Sequence, residues 1–148
     1  MIRWVIRIGM TAADRLRRVG WRLSKRPMRG VRGIVLTAEG RVVLVRHSYT
    51  NGWYLPSGGV KRGEMPEDAI RRELAEEIGL RSGDVSQVGQ SGDLLGRRPH
   101  QLTTFIVRDA VYRPRWNLEI EEVAAFALDA LPDDVSPGSR RAIAAHVR

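Results

Sequence analysis

Residues 58–80 read GGVKRGEMPEDAIRRELAEEIGL, and the interpretation of the whole chain starts from this stretch. A glycine-rich turn comes first, and Pro66 suits the first turn of a helix because its missing N–H would be unpaired there anyway. Glu67 and Asp68 complement the positive end of the helix dipole, and Gly79 is typical of a helix stop. The stretch therefore predicts a turn followed by a helix that begins at Pro66 and stops at Gly79.

Three carboxylates of this helix, Glu73, Glu76 and Glu77, fall within an arc of roughly 100°. Ile70 and Leu74 occupy the neighbouring arc and are expected to bury against a sheet. Like charges three and four residues apart repel, so a positive group should compensate them. Oxygen ligands suit hard divalent cations such as Mg²⁺ or Mn²⁺. The alternative is a solvated acidic face, because glutamate is a good helix former on surfaces.

The residues around the carboxylates favour the functional interpretation. Residues 58–80 match the pattern G-x5-E-x7-R-E-U-x-E-E-x-G-U at every fixed position, where U is aliphatic. The matching residues are Gly58, Glu64, Arg72, Glu73, Leu74, Glu76, Glu77, Gly79 and Leu80. This pattern is the Nudix box, and the sequence strongly resembles the Nudix hydrolase family from about Val31 to the C-terminus.

The resemblance implies an α/β fold, a Nudix-type α/β/α sandwich with a mixed β-sheet, over residues 30–148. The residues alone also favour a mixed α/β domain, with helices packed on a sheet. Runs rich in Val, Ile and Leu predict the strands Val31–Thr37, Arg41–Arg46, Trp53–Leu55, Val85–Leu95, Leu102–Val107 and Val123–Leu128. Pro56–Gly59 is predicted as a turn, and Ser139–Val147 as a final helix.

The resemblance also implies an activity, the hydrolysis of a nucleoside diphosphate linked to another moiety X. Water attacks a phosphorus of the pyrophosphate, helped by Mg²⁺ or Mn²⁺ ions that offset phosphate charge. By position in the box, Glu73, Glu76 and Glu77 would be catalytic residues and metal ligands. Glu73 is the candidate to serve instead as the base that deprotonates the water. The expected substrate is a small nucleotide.

Further residues receive expected roles from the same resemblance. Glu64 and Arg72 would form an ion pair that holds the turn against the helix, while Gly58 and Gly79 would be structural. The backbone carbonyl of Ser57, just before the box, is a candidate additional metal ligand. Acids beyond the box often assist in this family, and the candidates here are Glu119, Glu121 and Glu122.

Candidate substrate-binding residues lie outside the box. Arg97 and Arg98 are candidates to hold phosphates, although a polar hairpin loop is the alternative interpretation. Three more candidates precede the box: Arg46, His47 and Tyr54. A structural role is the alternative for His47, as is simple strand packing for Tyr54. The short motifs that mark ADP-ribose, dinucleoside polyphosphate and NADH enzymes do not occur at their usual spacing downstream of the box, so X is not identified.

The net charge of +8 is concentrated in an N-terminal segment. The first 33 residues hold ten basic side chains and one acid, whereas the remaining 115 hold 15 basic and 16 acidic side chains. Apolar residues recur at helical spacing from Ile2 to Leu23, which predicts a basic amphipathic helical arm over residues 1–29. Such a stripe favours packing on the body or on a second subunit of a homodimer. An anionic membrane surface and RNA are the alternative partners of the arm.

Three functional hypotheses remain open from the sequence. The first is a metal-dependent pyrophosphohydrolase of small nucleotides, and the second is the same chemistry on the 5′ end of RNA. The third is a non-catalytic nucleotide-binding sensor with a Nudix fold, against which the complete glutamate set argues. The lack of cysteine excludes thiolate catalysis. The lack of a credible export signal favours a cytoplasmic location, peripheral to a membrane if the arm binds lipid.

Overall fold

The computed structural model describes the backbone of residues 28–95 and 98–148 and the side chains of residues 28–92 and 100–148. Within these residues, six strands form one sheet and two helices pack on it. The strands are β1 (Met28–Leu36), β2 (Val42–His47), β3 (Ser57–Gly59), β4 (Leu80–Leu95), β5 (Arg98–Tyr112) and β6 (Ile120–Phe126). The helices are α1 (Pro66–Ile78) and α2 (Pro137–His146). Neither helix has the length and hydrophobicity that a membrane span requires.

The predicted N-terminal arm lies outside the described residues, except for its last two positions. Met28 and Arg29 begin strand β1, where they pair with His100 and Gln101 of β5. The sheet domain therefore starts at least two residues before the boundary predicted from charge and hydrophobic spacing. The charge of Arg29 groups it with the arm, although its backbone pairs with Gln101 in the sheet.

Strand β1 is the centre of the sheet, whose order is β4-β5-β1-β2-β6. One edge of β1 pairs in parallel with β5, and the other described strand pairs are antiparallel. The second edge of β1 is shared, because Gly30–Arg32 pairs with β3 while Val35 and Leu36 pair with β2. This arrangement fixes the glycine-rich segment of β3 against the middle of the sheet.

The two faces of the sheet have separate hydrophobic cores, because side chains alternate along each strand. The α1 face includes the buried residues Val31, Val35, Val43, Val45, Phe105 and Val107, covered by Ala69, Ile70, Leu74 and Ile78. The α2 face includes the buried residues Ile34, Leu36, Val42, Leu44 and Ile106, covered by Ala142 and Ile143. The predicted α/β/α sandwich with a mixed sheet is confirmed.

Helix α1 lies close to β1 at Gly33. A Cβ atom at this position would lie 3.3 Å from Cδ1 of Ile70 and 3.4 Å from Cδ2 of Leu74. The missing side chain lets the helix approach the strand closely, and the position of α1 sets where its carboxylates stand relative to β3.

Strands β4 and β5 are longer than the sequence patterns predict. The strand expected to begin at Val85 begins at Leu80, immediately after α1, and the strand expected over Leu102–Val107 extends over Arg98–Tyr112. Residues 80–84 read LRSGD, and Gly, Ser and Asp are depleted in strands. Pairing with β5 overrides this composition, with irregular register between Leu80 and Asp84.

The segment before α1 also differs from the expectation. Trp53–Leu55, predicted as a strand, makes isolated bridges, from Tyr54 to Val45 and from Trp53 to Val135. Ser57–Gly59, predicted as part of a turn, forms strand β3 instead. The free edge of β1 explains the second difference, because it offers backbone partners to the glycine-rich residues.

Truncation of Leu44 tests the core of the α2 face. The side chain of Leu44 is fully buried, so Leu44→Ala is expected to lower the free energy of unfolding by about 2–5 kcal/mol. The matched control is Leu128→Ala, since Leu128 is 38% exposed and its truncation should change stability by about 0.5 kcal/mol or less. Urea denaturation followed by circular dichroism measures both, and equal losses in the two variants would contradict the assignment of this core.

Candidate active site

Gly79 ends α1 and connects the helix to the segment between β5 and β6. Its φ of 67° is in the left-handed region, and its N–H donates to the carbonyl of Leu74. Its own carbonyl accepts a hydrogen bond from the backbone N–H of Arg113 at 3.0 Å. A Cβ atom at this position would overlap the Arg113 carbonyl, so both the conformation and the close approach require glycine.

The guanidinium of Arg72 joins the turn before α1 to the carboxylate face of the helix. Its Nε and Nη2 each donate to one carboxylate oxygen of Glu64 at 2.9 Å, so the ion pair expected between these residues is present. Nη2 also donates to the carbonyl of Gly59 at 2.9 Å, and Nη1 donates to Oε1 of Glu73 at 2.7 Å. The bond to Glu64 raises the pKa of Arg72, which stays charged.

Gly58 lies directly against the carboxyl group of Glu73. A Cβ atom on Gly58 would overlap the Glu73 carboxyl carbon, whereas a Cβ on Gly59 would meet no atom within 4 Å. The glycine at the first position of the box therefore leaves the space that the first helix carboxylate occupies.

Glu77 is the most deeply buried carboxylate of the site, with 6% of the residue exposed. Its Oε2 accepts a hydrogen bond from the backbone N–H of Ser57 at 3.2 Å. Burial, together with the charge of Glu73, raises the pKa of Glu77 to about 9. A carboxyl group in this environment holds a proton at neutral pH unless a positive charge lies close to it.

Glu119 lies within electrostatic range of the helix carboxylates. Burial raises the pKa of Glu73, against the hydrogen bond from Arg72, and the charges of Glu76 and Glu119 add to that rise. Glu119 contributes in the same direction at Glu77. Of the acids proposed beyond the box, the structure thus brings Glu119 to the acidic cluster.

Asn117, which is not among the predicted site residues, positions Glu119. Its side-chain Oδ1 accepts hydrogen bonds from the backbone N–H groups of Glu119 at 3.0 Å and Ile120 at 2.6 Å. The carbonyl of Glu119 in turn accepts from the backbone N–H of Ser48 at 2.9 Å. Asparagine bonding to the backbone two residues ahead is a common turn signal, so the short spacing to Glu119 was the available indication.

The carboxylate oxygens of the cluster are suitable ligands for a divalent cation, although the side chains are not arranged around one. Among the residues that the structure describes, no three His, Asp or Glu side chains are gathered to hold a metal ion. Arg72 Nη1 lies 2.7 Å from Glu73 Oε1 and 3.7 Å from Glu76 Oε2, while Glu77 bonds to Ser57. The negatively charged carboxylates repel one another, and a hard cation such as Mg²⁺ relieves this repulsion. Binding of a cation would release the proton held by Glu77.

Arg46 and Glu122 lie on the α2 face, opposite the carboxylates of α1. The register of β2 with β6 pairs the two residues, and Arg46 Nη1 lies 3.9 Å from Glu122 Oε2. Arg46 also lies 3.9 Å from a carboxylate oxygen of Asp134, and its guanidinium stands 4.6 Å from the ring centre of Trp53. These contacts favour a structural role over the predicted roles in substrate and metal binding.

His47 and Tyr54 lie on the α1 face, together with Tyr49, which is not among the predicted site residues. The His47 ring centre is 5.0 Å from that of Tyr49 and 5.4 Å from that of Tyr54. His47 is buried, which lowers its pKa and keeps the ring neutral. The register pairs His47 with Ile120, one residue from Glu119. The two predicted residues therefore stand beside the candidate site.

The remaining predicted substrate residues cannot be placed by their side chains. Arg97 lies outside the described residues, and Arg98 begins β5 with a described backbone alone. Their proposed contact with phosphates stays a prediction.

Comparison with known proteins identifies the fold and the family. A family model described as "NUDIX domain" matches residues 26–146. A solved MutT NUDIX hydrolase from Burkholderia pseudomallei superposes with a TM-score of 0.68 at 23% identity, over 80% of this chain and 97% of that chain. At this identity the superposition shows the fold alone.

Two curated relatives match parts of the chain. An RNA pyrophosphohydrolase of Hydrogenovibrio crunogenus is 39% identical over 70 residues, which are 47% of this chain and 41% of that protein. An RNA pyrophosphohydrolase of Alkalilimnicola ehrlichii is 44% identical over 72 residues, which are 47% of this chain and 40% of that protein. The matched region thus spans about two fifths of the length of each relative.

A substitution at Gly58 tests the close contact with Glu73. Gly58→Ala is expected to lower the free energy of unfolding by about 1–3 kcal/mol, because the new methyl group displaces the carboxylate or the strand. Gly59→Ala is the matched control, since open space surrounds that position. Thermal denaturation of both variants measures the difference. Equal stability of the two variants would show that Glu73 does not occupy the position next to Gly58.

The ion pair of Glu64 with Arg72 predicts a pH-dependent stability. Hydrogen bonds from Arg72 lower the pKa of Glu64 to about 2, against an ordinary value of 4.5. The ion pair therefore stabilises the folded protein above about pH 4.5, and this stabilisation is lost as the pH falls towards 2. Glu64→Gln is expected to lower the Tm at pH 7, and the Tm difference from the unsubstituted protein should shrink between pH 4.5 and pH 2.

Glu67→Gln is the control for this measurement. Glu67 pairs with Arg71 at 2.9 Å, but the two side chains are 56% and 50% exposed, and pairs on the surface contribute little. Its Tm should stay close to that of the unsubstituted protein at each pH. A Glu64→Gln difference that stays constant from pH 7 to pH 2 would refute the electrostatic origin.

Proposed function

The chain belongs to the Nudix family, and from that premise we propose that it is a metal-dependent pyrophosphohydrolase. Its substrate is a nucleoside diphosphate linked to another moiety X, of small-nucleotide size. The observation that carries the proposal is the buried carboxylate of Glu77, which lies against the backbone of Ser57 among the charges of Glu73, Glu76 and Glu119. Such a cluster is costly to fold unless it binds something positive.

The proposed ligands of Mg²⁺ or Mn²⁺ are Glu73, Glu76 and Glu77. The carbonyl of Ser57 and the carboxylate of Glu119 are additional candidates, because both residues lie beside this cluster. When bound, the cation offsets the negative charge of the phosphate oxygens and assists activation of the attacking water. Arg72 holds the carboxylates before binding and would have to yield Glu73 or Glu76 to the cation.

As an alternative to binding the cation, Glu73 is proposed to take the proton of the attacking water. Arg72 bonds to its Oε1, which leaves Oε2 for the proton, and burial raises its pKa towards the working range of a base. The water oxygen forms a bond to phosphorus while the bond from that phosphorus to the bridging oxygen breaks. The bridging oxygen leaves on the second phosphate, so the products are two phosphate esters, or a nucleotide and a free phosphate group.

Hydrolysis at the 5′ end of RNA is the second candidate function. It is favoured by the name that both matched curated relatives carry, RNA pyrophosphohydrolase. The bond chemistry is the same, because a 5′-triphosphorylated RNA presents the same phosphoanhydride as a nucleoside triphosphate. The two candidates differ in the part of the substrate beyond the first nucleotide, which only a comparison of substrates can test.

A substrate panel with a substitution at Glu77 tests the proposal. We expect Mg²⁺- or Mn²⁺-dependent release of phosphate or pyrophosphate from at least one member of a panel of nucleoside triphosphates, ADP-ribose, NADH, nucleotide sugars, dinucleoside polyphosphates and 5′-triphosphorylated RNA. Glu77→Gln should lower kcat/KM by about 100-fold or more, because even residues behind the ligands contribute about 10–100-fold. Glu67→Gln on the exposed side of the same helix is the control and should retain activity.

Two outcomes would count against the proposal. Turnover that persists in EDTA or in Glu77→Gln would exclude a metal site at this carboxylate. A folded protein that binds nucleotides but hydrolyses no member of the panel would favour the sensor hypothesis instead.

A further inference from the structure

Residues 113–117, in the segment between β5 and β6, present an exposed indole beside two arginines. Their sequence is Arg113, Pro114, Arg115, Trp116 and Asn117. Trp116 is 83% exposed, more than any other large hydrophobic side chain among the described residues. Exposed tryptophan is typical of recognition surfaces, because a large apolar ring gains most when a partner covers it.

Hydrogen bonds attach both ends of this segment to the candidate active site. At its start, the backbone N–H of Arg113 donates to the carbonyl of Gly79, at the end of the acidic helix. At its end, Asn117 holds the backbone of Glu119, and Ser48 Oγ donates to the carbonyl of Leu118 at 2.7 Å. The indole therefore projects from a segment held between α1 and the acid proposed to assist the reaction.

The charges of this segment are available to a ligand. Arg113 and Arg115 are exposed, and neither forms a salt bridge with a residue that the structure describes. Aromatic rings next to basic side chains bind single-stranded nucleic acid, because bases stack on the ring and phosphates attract the charges. A single nucleotide has no phosphodiester beyond its reacting phosphates. The pair of arginines beside the indole thus fits a chain of nucleotides.

We infer that residues 113–117 form a binding surface for single-stranded RNA that extends from the active site. In this arrangement Trp116 stacks on a base, and Arg113 and Arg115 contact the phosphodiesters that follow. The inference rests on the proposed pyrophosphohydrolase function and deepens its RNA form. A second protein molecule or a membrane that covers the indole would be a different partner. Neither would make the effect of a Trp116 substitution depend on RNA, so measurements with RNA distinguish these partners.

The first measurement compares a chain with a single nucleotide. The quantity is the ratio of kcat/KM for 5′-triphosphorylated penta-adenylate to kcat/KM for ATP. Trp116→Ala is expected to lower this ratio about tenfold, which corresponds to about 1.4 kcal/mol, and Trp116→Tyr should restore most of it. Leu128→Ala and Arg41→Ala are the controls, because both residues are exposed and lie near the opposite end of β2 and β6. Neither should change the ratio.

The second measurement is binding without turnover, by fluorescence anisotropy of a 3′-labelled 5′-monophosphorylated penta-adenylate. Trp116→Ala should weaken binding about tenfold. The double variant Arg113→Gln and Arg115→Gln should reduce the slope of log Kd against log salt by about 1.4, because each contact with a single strand releases about 0.7 of a counterion. Leu128→Ala should bind as the unsubstituted protein does.

The outcomes separate this surface from the proposed function. Weakened binding in Trp116→Ala, in a protein that hydrolyses no RNA, would support the surface and overturn the RNA function. Hydrolysis of RNA with the same ratio and the same affinity in Trp116→Ala and Leu128→Ala would overturn the surface alone. Equal losses on penta-adenylate and ATP would also overturn it, because the indole would then act on the first nucleotide. Absence of both binding and hydrolysis would overturn both.

Discussion

The arrangement of the site depends on one positively charged side chain, the guanidinium of Arg72. It bonds at once to Glu64 in the loop, to the carbonyl of Gly59 in β3 and to Glu73 on α1. A planar group with several fixed donors can bridge three segments in this way, whereas a lysine ammonium cannot reproduce the geometry. The same group compensates part of the negative charge before any cation binds. Loss of Arg72 would therefore both release the turn and leave the carboxylates repelling one another.

The alternation of β2 decides which neighbouring residues can take part in the chemistry. Val45 and His47 face α1 and the carboxylates, whereas Arg46 between them faces α2 and packs on Trp53. Residues that are adjacent in this strand thus point their side chains towards different helices of the sandwich. The candidate site is built on the α1 face alone, although both faces carry a hydrophobic core. This division explains why Glu119, and not its near neighbour Glu122, influences the pKa values of the helix carboxylates.

The sequence predicted the parts of the site that local chemistry determines. The bounds of α1, its glycine stop and its carboxylate face follow from signals within one helix. The early start of β4 at Leu80 could not be predicted in the same way, because pairing with a distant strand outweighs a composition typical of loops. The role of Asn117 in positioning Glu119 and the exposure of Trp116 depend on where β5 and β6 lie in three dimensions. The role of the N-terminal arm stays a prediction.

The parallel pairing of β1 with β5 has a consequence for synthesis on the ribosome. Arg32 and Thr104 stand side by side in the sheet although they are 72 residues apart in the chain. At about 5–20 residues per second, β1 waits about 4–14 s for these 72 residues to be made, whereas Leu74 waits about 2–6 s for Phe105. During the shorter of these intervals Ile70 and Leu74 lack the cover of Phe105, so the nascent chain exposes an apolar helix face. Helix α1 is thus synthesised before the strand that covers its apolar face. During this interval the chain is most prone to aggregate or to bind a chaperone.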